Sequence, residues 1–198
     1  MAKILNTLSD SELISTLLDG GVGVMPTDTI YGLVCRAADE RSVARLYGLK
    51  HREIKPGTII AADVNQLVEL GIKKRYLTAV EQFWAYPISV VIPIGHGLSY
   101  LHLGKMSLAC RVAAAPKELI SLLSKTGPLL TSSANLPGQP QSNNMDMAQA
   151  YFGDSVDFYV DCGDRSGVAA STVIRVVDDA IEILRIGATN INENGKVV

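Results

Sequence analysis

The sequence predicts an α/β fold: one domain built on a mixed β-sheet with helical cover. Three observations carry that prediction. Segments with helical periodicity alternate with short apolar runs of strand length from one end of the chain to the other. The late strand-like runs follow one another across short turns, which places antiparallel pairs in the sheet. Finally, 198 residues, 47% of them hydrophobic, suit a single unit that buries roughly 70% of the surface its unfolded chain exposes. No repeat, low-complexity tract or linker interrupts the chain, so residues 1–198 read as one domain.

The elements follow in order. Ser9-Asp10-Ser11-Glu12 has capping-box spacing, Leu13, Ile14, Leu17 and Leu18 share a helix face, and Gly20-Gly21 stops that helix. Val22 to Met25 reads as a short buried strand running into Pro26. A second helix fits Arg41 to Leu49, with Val43, Leu46 and Tyr47 on its apolar stripe. Thr58 to Ala62 is a buried strand, Gln66 to Leu70 a short helix, and Thr78 to Tyr86 reads as helical up to Pro87. Strands follow at Ile88 to Ile94 and Ser107 to Val112, and Pro116 takes the first position of a helix through Leu123. Leu129 to Thr131 is a strand feeding a polar loop, Ser132 to Asn143. The tail gives a helix over Met145 to Tyr151, then strands at Val156 to Val160, Ser171 to Val177 and Ile181 to Ile186, the last two joined through Asp178-Asp179.

Composition narrows the function classes. A net charge of −2, from 18 basic and 20 acidic side chains, means that any nucleic-acid contact must use a local basic patch. Intrinsic disorder does not fit so apolar a chain, and no run approaches the roughly 20 apolar residues of a membrane span. The N-terminus lacks the continuous apolar core of a secretory signal, so the expected location is the cytoplasm. Cys35, Cys110 and Cys162 are widely spaced, form no C-x-x-C pair, and read as small buried hydrophobes. His51, His96 and His102 show no ligand spacing.

Four segments could carry chemistry. Pro26-Thr-Asp-Thr-Ile-Tyr-Gly-Leu33 gathers hydroxyls, a carboxylate and a phenol at a strand end, either to meet a small polar ligand or as a polar turn. Lys50-His-Arg52 and Lys55-Pro56-Gly57 place three cations within six residues. Such a run is either a solvated helix end or a polyphosphate pocket made of a point charge and a planar fork. Thr131-Ser-Ser-Ala-Asn135 sends hydroxyl and amide groups from a strand into a Pro/Gly loop, which is a turn signal or a phosphate contact. Arg111, Ser171-Thr172 and Arg185 sit in apolar strand patterns, where a charge needs a partner or a ligand.

Together, and in this order, these segments resemble the YrdC-like threonylcarbamoyl-AMP synthase family. The resemblance runs from about Gly20 to Gly187 and rests on the Pro26–Leu33 run, the Lys-x-Arg of Lys50 and Arg52, and the Ser-x-Asn of Ser133 and Asn135. Ser171-Thr-Val173 and Leu184-Arg-Ile-Gly187 complete it. It implies a twisted, largely open sheet with a basic concave face, in the family's short form. It also implies that Thr29, Arg111 and Ser171 contact L-threonine and that Lys50, Arg52 and Lys55 face the phosphates. Ser107, Thr131, Ser133, Asn135 and Arg185 would line the ATP site, with Gln141 at its edge where a serine is common. The chain departs from the pattern in two further places. After Arg52, Glu53 replaces a proline and Lys55 comes one residue early, and Trp84-Ala-Tyr-Pro87 stands for Trp-Pro-Gly-Pro with Ser89 at a threonine position.

The implied reaction joins L-threonine, bicarbonate or CO2 and ATP into threonylcarbamoyl-AMP and pyrophosphate, for the t6A modification of tRNA. Lys50 and Arg52 would be its catalytic cations, with Mg2+ carried on the triphosphate. A carbamate is already an anion, so the attack on phosphorus needs positioning and charge neutralisation rather than a strong base. The implied partners are tRNA and the proteins that transfer the threonylcarbamoyl group. Two other readings stay open: a related adenylate chemistry on another substrate, and a non-catalytic RNA-binding module.

Overall fold

The computed structural model describes residues 1–50, 55–178, 180–192 and 196–198. The first half of the chain forms β1 (Lys3–Leu5), α1 (Ser11–Leu18), β2 (Gly23–Pro26), β3 (Tyr31–Arg36), α2 (Glu40–Leu49), β4 (Thr58–Ala61), α3 (Val64–Glu69) and α4 (Lys74–Thr78). The second half forms β5 (Ile88–Pro93), α5 (Ser99–His102), β6 (Ser107–Val112), α6 (Lys117–Thr126), β7 (Leu129–Ser133), α7 (Met145–Phe152), β8 (Phe158–Val160), β9 (Thr172–Val177) and β10 (Ala180–Arg185). The ten strands make one mixed sheet in the order β1-β8-β2-β3-β7-β4-β6-β5-β9-β10, open at β1 and β10. Parallel pairs (β4 with β6, β5 with β9) sit among antiparallel ones (β2 with β3, β3 with β7, β9 with β10). Among the described residues no helix is long and apolar enough to cross a membrane.

Several expectations shift. The cap of α1 is Asp10, whose side chain accepts from Glu12 N at 2.8 Å, one residue after the expected Ser9, and Leu18 is exposed rather than packed. The run expected to be helical from Thr78 to Tyr86 instead ends α4 at Thr78 and forms a 3-10 turn over Glu81–Ala85. Tyr86 is extended, as the residue before a proline must be. Pro116 is the N-cap of α6 rather than its first residue, and that helix continues past Leu123 to Thr126. β1 and β3 are strands that the sequence pattern does not predict. The expected turn includes Asp179, which lies outside the described residues, as do Arg52 and its neighbours.

Strand alternation sorts the core into two layers. Val24, Leu33, Ile59 and Leu130 belong to one apolar cluster, whereas their neighbours Met25, Val34, Ile60 and Leu129 belong to another. The first layer is covered by α2, α3, α5 and α7; the second is covered by Leu13 and Leu17 of α1 and Leu119, Leu122 and Leu123 of α6. That second cover is incomplete. Thr58 lies on the face of Ile60, Thr131 and Ser133 on the face of Leu129, and Ala109 and Arg111 on the face of Ala113. Beyond the reach of α1 and α6 these positions floor a cavity of about 700 Å³.

Candidate functional site

The cavity begins at the β2–β3 hairpin, whose tip is the Thr-Asp-Thr run. Thr27 N donates to Ile30 O at 3.1 Å and Thr27 Oγ1 to the same oxygen at 2.9 Å, closing the turn. Tyr31 Oη accepts from Cys162 N at 3.0 Å and donates to Gly163 O at 2.9 Å, which ties the loop after β8 onto the hairpin. Burial raises the Tyr31 pKa, so the phenol keeps the proton this bond needs. Two glycines let the strands close around Thr131. A Cβ at Gly32 would lie 2.5 Å from Thr131 Oγ1, and one at Gly57 2.7 Å from Thr131 O.

Arg111 lies at the centre of the floor and is 3% exposed. Its Nε and Nη2 donate to the two carboxylate oxygens of Asp28 at 2.8 and 2.7 Å, and its Nη1 donates to Ser89 Oγ at 2.8 Å. The sequence offered an acidic partner and a ligand as alternatives for this arginine, and the fold provides the acidic partner. A guanidinium carries five N–H groups, so two remain without an acceptor among the described residues. Ser89 Oγ lies 3.0 Å from Ser171 Oγ. Arg185 donates through Nε and Nη2 to Ser171 O at 3.1 and 2.7 Å. Burial, and then the positive charge of Arg111, lower the Arg185 pKa from the ordinary arginine value. Lys55, Lys105 and Arg175 add cations at the wall, the last paired with Glu182 across the β9–β10 ladder at 2.7 Å.

The Ser-x-Asn corner is built differently. Lys50, the C-cap of α2, is 2% exposed. Its Nζ donates to Ser133 O at 2.8 Å, to Asn135 Oδ1 at 2.8 Å and to Asn135 O. Ser133 Oγ donates to Asn135 Oδ1 at 2.6 Å, and Asn135 Nδ2 to Gln139 O at 2.6 Å.

Of the residues named from the sequence, the cavity wall unites Thr29, Lys55, Ser107, Arg111, Thr131, Ser133, Ser171 and Arg185. Lys50, Asn135 and Gln141 do not belong to the wall, and Arg52 lies outside the described residues. Asp28, Ser89, Lys105 and Arg175 were not named as site residues. Asp28 and Arg175 left a signal, a carboxylate inside the hydroxyl motif and a second arginine in an apolar strand. Cys35 and Cys110 are buried as expected, with thiols shifted upward by burial, but Cys162 is exposed, because it sits in the loop that Tyr31 pins to the surface. Among the described residues no group of three His, Cys, Asp or Glu side chains could hold a metal.

A pocket lined by Lys55, Lys105, Arg111, Arg175 and Arg185 thus lies on one face of an open α/β sheet. Residues 15–187 match the family model Sua5_yciO_yrdC, described as "Telomere recombination". The chain belongs to the Sua5/YciO/YrdC family. The threonylcarbamoyl-AMP synthase of Coxiella burnetii (strain RSA 493 / Nine Mile phase I) is 33% identical over 155 residues, 76% of this chain and 83% of that one. A doubly substituted P. abyssi Sua5 superposes with a TM-score of 0.81 at 26% identity, covering 96% of this chain and 61% of that one. P. abyssi Sua5 complexed with L-threonine gives the same TM-score of 0.81 at 24% identity, covering 95% and 58%, and shares the fold. This chain therefore spans about three fifths of the length of those two Sua5 chains.

Proposed function

We propose that this protein is a threonylcarbamoyl-AMP synthase, forming the adenylate from L-threonine, bicarbonate or CO2 and ATP. The observation that carries the reading is Arg111: buried, oriented by Asp28 and Ser89, and holding two unassigned N–H groups on the floor of a cation-lined cavity. Two N–H on different nitrogens suit a carboxylate, and the hydroxyls of Thr29 and Ser171 are available to the rest of an amino acid. Lys55, Arg185, Ser107, Thr131 and Ser133 would meet the nucleotide, joined by Arg52. Lys50 and Asn135 would act by holding the Ser133 loop in shape.

In the reaction, the threonine amine attacks the carbon of CO2 and loses a proton, giving a carbamate. A carbamate oxygen then attacks the α-phosphorus of ATP, and the bond to the β-phosphate oxygen breaks to release pyrophosphate. The protein's part is to bring the two anions together and to neutralise charge on the triphosphate. Mg2+ would arrive on the triphosphate as part of the substrate. Asp28 has both oxygens on Arg111, so charge compensation from the chain falls to its cations. The product would supply the t6A modification of tRNA through separate transfer proteins.

The test is direct. Protein incubated with ATP, bicarbonate and L-threonine should release pyrophosphate and give an adenylate of the threonylcarbamoyl mass. Omitting threonine should abolish both signals. RNA binding with no pyrophosphate release would make the chain a binding module instead, and release driven by a different amino acid would make it a related adenylate enzyme.

A further inference from the structure

Ser89 is the polar residue in the apolar run Ile88-Ser-Val-Val-Ile92, and it is completely buried. Ile88, Val90 and Ile92 point into the first core layer, so Ser89 and Val91 face the cavity side, where Val91 is part of the wall. Ser89 itself lies beneath that wall. Burying a hydroxyl is costly unless it is hydrogen-bonded, and Ser89 is bonded on both sides. Its oxygen accepts from Arg111 Nη1 at 2.8 Å and lies 3.0 Å from Ser171 Oγ. Ser171 Oγ in turn accepts from Arg185 Nη2 at 3.2 Å. The two hydroxyls thus take one bond from each arginine and share one between themselves, and one hydroxyl proton is left for a ligand.

We infer that Ser89 is a positioning residue that ties the arginine of the amino-acid side, Arg111, to the arginine of the nucleotide side, Arg185. This inference rests on the functional reading above. The relay Asp28–Arg111–Ser89–Ser171–Arg185 is continuous, each member being bonded to the next. A carboxylate docking on Arg111 draws on a guanidinium that Asp28 and Ser89 already orient, and the two hydroxyls pass that added constraint to Arg185, where the nucleotide binds. Each substrate then finds half of the other's site already ordered. Coupling of this kind is reciprocal by necessity: each ligand tightens the other by the same factor.

The experiment is calorimetry on the full chain with L-threonine and α,β-methylene-ATP, which cannot turn over. In wild type, saturating threonine should tighten the nucleotide analogue several-fold, and the analogue should tighten threonine equally. Ser89→Ala should weaken threonine by about tenfold, the scale of a lost bond to a charged group, and should reduce the mutual effect to less than about twofold. Ser89→Thr, which keeps the hydroxyl, should retain both. A Ser89→Ala protein with wild-type threonine affinity and coupling overturns the inference alone. So does an equal loss in Ser89→Ala and Ser89→Thr, because the hydroxyl would then not be what matters. Wild type that binds the analogue but no threonine overturns the functional reading and this inference with it.

Discussion

Two buried cations, Arg111 in the cavity floor and Lys50 beneath the Ser133 loop at its wall, are treated in opposite ways. Lys50 has three N–H groups, and the Ser133–Asn135 loop alone offers them three acceptors. Arg111 has five N–H groups, of which Asp28 and Ser89 occupy three. Both satisfy the requirement that a buried charge be paired. A saturated cation has nothing left for a ligand and acts as scaffold. An unsaturated one, oriented by a bidentate partner, presents a fixed pair of donors to whatever enters. Their difference lies in unspent hydrogen-bonding capacity, which neither charge nor burial reports.

The largest expected effect comes from breaking the unsaturated side. Arg111→Ala should lose threonine binding by 100-fold or more. It should also destabilise the fold by about 3 kcal/mol or more, because Asp28 is left as a buried unpaired carboxylate. Those two losses can be separated. Adding Asp28→Asn to Arg111→Met removes both charges, so the thermal midpoint should recover while threonine binding does not. Recovery of binding in the double variant would show that Arg111 does not read the ligand. On the saturated side the pattern should invert. Lys50→Met should cost about 1–2 kcal/mol by orphaning the half-buried carbonyls of Ser133 and Asn135 and should weaken the ATP analogue through the loosened loop. Threonine affinity should change little. A Lys50→Met protein of full stability that loses only turnover would make Lys50 a phosphate contact instead of scaffold.

An intermediate effect is expected at Gly32. An alanine Cβ there meets Thr131 Oγ1 at 2.5 Å and Thr27 Cγ2 at 3.2 Å, so Gly32→Ala should cost roughly 1–3 kcal/mol as overpacking. Thr131→Ala in the same chain should return part of that stability in a thermal melt. No recovery would move the conflict from the Thr131 side chain to the backbone.

How much of this was legible in the sequence depended on range. Periodicity located α2, β6, β9 and β10 to within a residue or two, and eight of the residues named from the motifs line one cavity. β1 escaped because a three-residue edge strand carries almost no pattern. β3 escaped because its first residues, Tyr31 and Gly32, also belong to the polar motif, and a glycine weakens a strand signal. Lys50 and Lys55 look alike in sequence, both being cations near Arg52. Only packing shows that α2 directs Lys50 under the Ser133 loop, while Lys55 stays on the wall. The partners of Arg111 lie 83 and 22 positions away, a separation at which no local pattern could pair them.

The smallest expected effect tests whether unspent capacity also matters at the exposed rim. Arg175 lines the cavity mouth, yet its guanidinium is held by Glu182 Oε2 at 3.0 and 2.7 Å on the neighbouring strand. Both side chains are about half exposed, so the pair is screened by water and its contribution to stability is on the order of 0.5 kcal/mol or less. Glu182→Gln should leave the thermal midpoint nearly unchanged and remove the carboxylate that competes for Arg175. The freed cation should tighten the ATP analogue by roughly two- to threefold at low ionic strength. That gain should vanish by about 0.5 M salt, where the screening length falls to roughly 4 Å. Threonine affinity should not move, because Arg111 is buried and its partner is Asp28. A salt-independent gain, or an equal gain for threonine, would show that the rim acts through the shape of the β9–β10 hairpin and not through charge.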